Sequence, residues 1–93
     1  MNLNERINAG EFRNRKPYPH DHTGLGSGGV ARAAYRAEES SIMEKFVSAL
    51  FAEYGVTGNP KANRAFSIAW EHGHSGGYSE VASYFADLVD LIK

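Results

Sequence analysis

The most regular alternation of apolar and polar positions lies at the end of the chain. Between Tyr78 and Lys93, the residues Val81, Tyr84, Phe85, Leu88 and Ile92 recur mostly at steps of three and four, with Glu80, Ser83, Asp87 and Asp90 on the other side. That is the two-faced period of an amphipathic helix. Upstream, Ala62, Ala65, Phe66, Ala69 and Trp70 form a second stripe with Ile68 beside it. Asn59-Pro60 marks its start, since the amide side chain accepts from free backbone N–H groups and proline needs no donor at a first helical position. This helix ends near Gly73. The turn through Ser75-Gly76-Gly77 then makes a helix–turn–helix corner, with Trp70 filling the core and Ser75 or Ser79 capping the last helix.

A third segment, Val30 to Tyr54, holds good helix formers, with Val30, Ala34, Ala37, Ile42, Phe46, Leu50 and Phe51 as its apolar series. One continuous helix is predicted. The alternative is a break in which Ser41 and Glu44 form a capping box and Ala31–Ala37 is a separate short helix. Gly55 supplies the residue able to take positive φ at the helix end, and Val56 can fold back onto the last turn. No segment shows the alternation of a half-buried strand. The expected fold class is all-α, a compact three-helix domain over residues 30–93.

Residues 1–29 read differently. Met1, Leu3, Ile7, Ala9, Phe12, Tyr18 and Leu25 are the apolar residues of positions 1–26 and keep no sustained period. The expectation is an arm outside the core: a short helical turn around Leu3 and Ile7 stopped at Gly10, then an extended run through Pro17-Tyr18-Pro19. Thr23-Gly24-Leu25-Gly26-Ser27-Gly28-Gly29 follows as a glycine-rich hinge.

The chain has 93 residues, with 10 Lys and Arg against 11 Asp and Glu and a formal net charge of −1. That balance excludes a strongly basic polyanion binder. It hides an asymmetry, because residues 1–36 are net basic and residues 37–93 net acidic. The absence of cysteine excludes disulfides, a thiol nucleophile and Cys-ligated metal, and fits a reducing cytoplasm. No window supplies the roughly 20 apolar residues of a membrane helix, and the polar start Met1-Asn2-Leu3-Asn4-Glu5-Arg6 does not read as a signal peptide. A soluble cytoplasmic protein without membrane partners is expected.

Three features suggest chemistry. The pairs His20-Asp21-His22 and His72-Gly73-His74 invite a zinc reading, with Glu71 or Asp21 as further ligands. Neighbours two apart on a helix diverge, however, whereas ligation from one face needs partners three or four apart. A histidine at a helix C-terminus, bonding free carbonyls, is the preferred reading. No metal or cofactor is assigned, and His20, His22, His72 and His74 stand only as metal candidates. Gly24-Leu25-Gly26-Ser27-Gly28-Gly29 has dinucleotide-fingerprint spacing but no preceding strand, so it reads as hinge. In the arm, Phe12, Arg13, Arg15, Lys16 and Tyr18 interleave cations with aromatic rings. That combination suits an acidic protein surface, including that of a second copy, or phosphates with base stacking.

The stretch Ala69-Trp70-Glu71-His72-Gly73-His74-Ser75-Gly76-Gly77-Tyr78-Ser79-Glu80-Val81, with Asp87-Leu88-Val89-Asp90-Leu91, resembles the C-terminal end of small uncharacterised proteins of tailed bacteriophages. Asn4-Glu5-Arg6-Ile7-Asn8-Ala9-Gly10-Glu11-Phe12 and Lys16-Pro17-Tyr18-Pro19 resemble their N-terminal end. The resemblance implies a phage-encoded accessory role in the host cytoplasm and brings no catalytic residues. The function expected from the sequence is therefore a non-enzymatic factor for host takeover or anti-defence. It would bind a host protein through Phe12, Arg13, Arg15, Lys16 and Tyr18. Nucleic-acid binding through the same arm and His-ligated metal binding are the alternatives.

Overall fold

The computed structural model describes residues 2–16 and 27–93. Four helices follow in order, α1 (Leu3–Asn8), α2 (Ser27–Glu53), α3 (Ala62–Gly73) and α4 (Tyr78–Ile92), with a single 3-10 turn at His74–Gly76 between the last two. There is no strand among the described residues, so the all-α class holds. No helix among them is long and apolar enough to cross a membrane.

α1 begins where the Asn2 side chain accepts from the Glu5 N–H at 2.9 Å. It ends on Gly10 at φ +84°. There the Gly10 N–H donates to the Ile7 carbonyl at 3.0 Å and the Glu11 N–H to the Arg6 carbonyl at 3.1 Å. These are the paired bonds of a Schellman motif, which satisfy carbonyls the helix leaves open. The same device closes α2: Gly55 sits at φ +67°, its N–H reaches the Ala52 carbonyl at 3.2 Å, and the Val56 N–H reaches Phe51 at 2.9 Å. Val56 is buried, as the fold-back expected from the sequence requires.

α2 is continuous, with no break at Ser41. Its packing is not continuous. Ile42, Phe46 and Leu50 are buried with Phe51 packed against them, whereas Val30 is 78% exposed and Ala34 and Ala37 are exposed. These three members of the apolar series lie outside the core. The first half of α2 places no residue in the buried cluster of the described residues, and helix formers such as its alanines and arginines sustain it. The helix also begins at Ser27, so Ser27-Gly28-Gly29 is helical backbone rather than hinge.

The core consists of Leu3, Phe12, Ile42, Phe46, Leu50, Val56, Ala62, Ala65, Ala69, Val81, Ala82, Phe85 and Val89. α3 contributes only alanines to it, and α4 packs against this low-relief face. The buried face of α4 is rotated from the expected one: Ala82 and Val89 are inside, Tyr84 is outside, and Leu88 and Ile92 are half-buried.

The largest departure concerns the N-terminal segment. Leu3 and Phe12 are each 4% exposed and belong to the core, so the boundary at residue 29 does not separate an arm from a globule. Phe12 is edge-on to Phe46 at 5.4 Å and to Tyr78 at 6.2 Å. The Arg6 guanidinium lies 5.4 Å from the Phe12 ring centre, a cation–π contact that covers the buried ring from the solvent side.

Asn59 ties the two ends of the C-terminal helix pair. Its Oδ1 accepts from the Lys61 N–H at 2.9 Å, and its Nδ2 donates to the Ile92 carbonyl at 2.9 Å. The start signal at Asn59-Pro60 thus operates through a turn, with α3 proper beginning at Ala62. α4 starts on Gly77 with no side-chain cap, so neither Ser75 nor Ser79 plays the capping role expected of it.

Candidate functional site

The polypeptide leaving Phe12 runs against the middle of α2. Asn14 holds it there: Nδ2 donates to the Tyr35 carbonyl at 3.3 Å and to Glu39 Oε1 at 3.1 Å, while Oδ1 accepts from the Lys16 N–H at 3.0 Å. Asn14 is half-buried, and Arg13, Arg15 and Lys16 around it are exposed. The result is a short cationic strip fixed at its centre. Arg13 also borders the cleft between α1 and the start of α4, with Ile7, Tyr78 and Ser79.

The five arm residues singled out from the sequence therefore separate. Arg13, Arg15 and Lys16 share one surface. Phe12 is a core residue and is withdrawn as an exposed anchor, because its ring is enclosed by Phe46, Tyr78 and Arg6. Tyr18 lies outside the described residues.

The histidines of the second pair diverge. His74 Nδ1 donates to the Trp70 carbonyl at 2.8 Å, and its ring stacks on Trp70 at 5.6 Å and 21°. His72 lies against Tyr84 of α4 at 5.8 Å. The bond from His74 is the helix-end role that the sequence favoured, and it commits one ring nitrogen to the backbone. No group of three or more His, Cys, Asp or Glu positioned for a metal occurs among the described residues. His20 and His22 lie outside them.

Beside the strip, Phe12, Glu39, Trp70, His74, Gly77 and Tyr78 line a shallow cavity. Tyr78 stacks on Phe46 at 4.4 Å and 29° and tilts against Trp70 at 6.3 Å. Burial pushes the Tyr78 phenol above its ordinary range, and the Glu39 carboxylate adds to the shift. On the other side of Phe12, Arg6 and Glu11 form a two-point ion pair through both guanidinium and carboxylate arms. Their hydrogen bond is the main cause of a raised Arg6 pKa and a lowered Glu11 pKa.

Asn14 and Glu39 are the site residues that sequence reasoning missed. Asn14 sits among three cations as one polar residue in a charged run; the only signal for it in the sequence is its ability to form a local turn with the residue two positions on. Nothing in the periodicity of α2 distinguishes Glu39.

A family model described as a family of unknown function, DUF8546, matches residues 1–93. The chain belongs to this family. The DUF8546 match runs through the N-terminal segment as well as the helices, in keeping with Leu3 and Phe12 being core residues. No curated protein and no solved structure matches the chain.

Proposed function

We propose that this chain is a non-enzymatic protein-binding factor that engages an acidic surface of its partner through Arg13, Arg15 and Lys16. The observation that carries the reading is the Asn14 anchor: three exposed cations flank a backbone segment bonded to α2. Holding them in place lowers the ordering cost that a free tail would incur on binding. Exposed cations steer an acidic partner and set orientation. The bacteriophage origin, the host protein as partner, the host cytoplasm as compartment and a role in host takeover rest on the resemblance of the chain ends to tailed-phage proteins.

The test reverses the strip. R13E, R15E and K16E together should leave the melting temperature nearly unchanged, because all three side chains are exposed. Affinity capture from host lysate, followed by mass spectrometry, should return a protein with the natural chain and not with the triple variant. An identical set of captured proteins from both chains overturns the reading. So does capture that disappears on nuclease treatment and falls steeply with salt, which assigns the strip to phosphate backbones instead.

A further inference from the structure

The cavity beside the strip has a chemistry of its own. Its volume is about 220 Å³, below the range of about 300–1,000 Å³ typical for drug-sized ligands and suited to a small head group. Four of its lining residues carry rings. Trp70 and His74 stack nearly parallel, Tyr78 is inclined at 44° to Trp70, and Phe12 stands at 77° to Tyr78. The rings are therefore inclined to one another by different amounts around one small space.

Glu39 is the one carboxylate in this lining. Among the described residues its hydrogen bond comes from the Asn14 amide, a neutral donor. Aromatic faces are negative by their quadrupole, and a carboxylate beside them deepens the attraction for a cation. The kind of cation follows from what the walls lack. A metal ion requires several oxygen, nitrogen or sulfur ligands, and a primary ammonium has three N–H groups to satisfy. The acceptors among these side chains are Glu39, the Tyr78 hydroxyl and the His74 nitrogen not bonded to Trp70, short of a metal's ligand set, and the rest of the side-chain wall is ring surface. A methylated ammonium has no such demand and spreads its charge over methyl groups that pack on rings.

We propose that the cavity formed by Phe12, Glu39, Trp70, His74 and Tyr78 binds a methylated ammonium head group of the kind carried by choline or by a trimethylated lysine side chain. Arg13 and Arg15 are exposed neighbours whose repulsion, only partly weakened by salt, works against the bound cation. Glu39 also accepts from Asn14 in the strip, but the ligand here has the opposite charge to an acidic partner, and the test reads the ring-lined cavity rather than Arg13, Arg15 and Lys16.

Trp70 is the only tryptophan of the chain, so its fluorescence reports on this cavity. The full chain is titrated with choline chloride and with the amide of trimethyllysine, using sodium chloride at matched ionic strength as the baseline. The uncharged carbon isostere of choline serves as a shape control. Both cations should produce a saturable change with Kd of roughly millimolar or tighter, and the neutral isostere should bind at least about tenfold more weakly. E39Q keeps the side-chain shape and should weaken cation binding about fivefold or more with little change in melting temperature. A tighter lysine derivative assigns the site to a protein side chain, and tighter choline assigns it to a free metabolite. A fluorescence response no different from sodium chloride overturns the proposal. Equal affinity for the neutral isostere, or unchanged affinity in E39Q, also overturns it.

Discussion

Phe12 meets Phe46 edge to face, with ring centroids 5.4 Å apart and planes at 75°. A residue from the first dozen thus closes the core over a helix that begins at Ser27. The contact makes the N-terminal segment part of the fold rather than an attachment to it.

Phe12→Ala should lower unfolding stability by about 3–5 kcal/mol, the usual cost of emptying a buried phenylalanine site. That is a large share of the roughly 5–15 kcal/mol available to a domain. Urea denaturation followed by circular dichroism measures it, and an unchanged midpoint contradicts the packing described. Removing residues 2–12 takes away Leu3 and Phe12 together, and cooperative melting should be lost or sharply reduced.

Gly73 lies where the end of α3 meets the start of α4. A Cβ there would approach the Val81 backbone nitrogen to 2.9 Å and the Glu80 carbonyl carbon to 3.0 Å. Both neighbours are backbone and cannot rotate away. Gly73→Ala should therefore cost about 1–3 kcal/mol despite the better helix propensity of alanine. Thermal unfolding decides it, and a stabilised variant would mean the two helices can separate freely.

Asn59 serves both ends of the helix pair, and the two bonds can be tested separately. Asn59→Ala should lose about 1–2 kcal/mol. Asn59→Asp keeps an acceptor for the Lys61 N–H but removes the donor to Ile92 and places a negative charge near the C-terminal end of α4, where the helix dipole opposes it. If the aspartate variant is as stable as the natural chain in a denaturant titration, the bond to Ile92 carries no weight.

Stability should fall at both pH extremes for different reasons. The Glu11 pKa is lowered from 4.5 by its hydrogen bond to Arg6. Its contribution is therefore present above pH 4.5 and lost as the pH falls through the lowered folded value. Tyr54 and Tyr78 are raised from 10.0 chiefly by burial, with acidic neighbours adding to the shift. Their contribution is full below pH 10 and is lost as the pH rises through the raised folded values. Glu11→Gln should flatten the acid limb of a melting-temperature profile and Tyr78→Phe the alkaline limb. A profile unchanged by either substitution rejects the corresponding assignment.

Much of this fold could be read from the chain, for definite reasons. The continuity of α2, its Gly55 stop and the last helix all rest on local signals, namely helix formers, a positive-φ glycine and a long apolar period. Phe12 could not be placed that way. It stands alone after a turn, and only its distant partners Phe46 and Tyr78 make it a core residue. The buried face of α4 differs from the expected one because large side chains give the stronger sequence signal: Tyr84 draws the stripe toward itself, while the small Ala82 is buried in its place. In α2 the reverse holds, since Val30, Ala34 and Ala37 keep a helical period and yet are exposed. At the candidate site, charge clustering located Arg13, Arg15 and Lys16. The bond from Asn14 to Glu39 is tertiary and left no trace in the spacing.

The uneven anchoring of α2 also divides one helix into two regimes of amide hydrogen exchange. Amides near Phe46 and Leu50 open only when the buried cluster comes apart, and should exchange with the slowest protons of the molecule. Those from Val30 to Ala37 can open by unwinding from the solvent side, so protection should decline toward Ser27 along an unbroken spiral of backbone bonds.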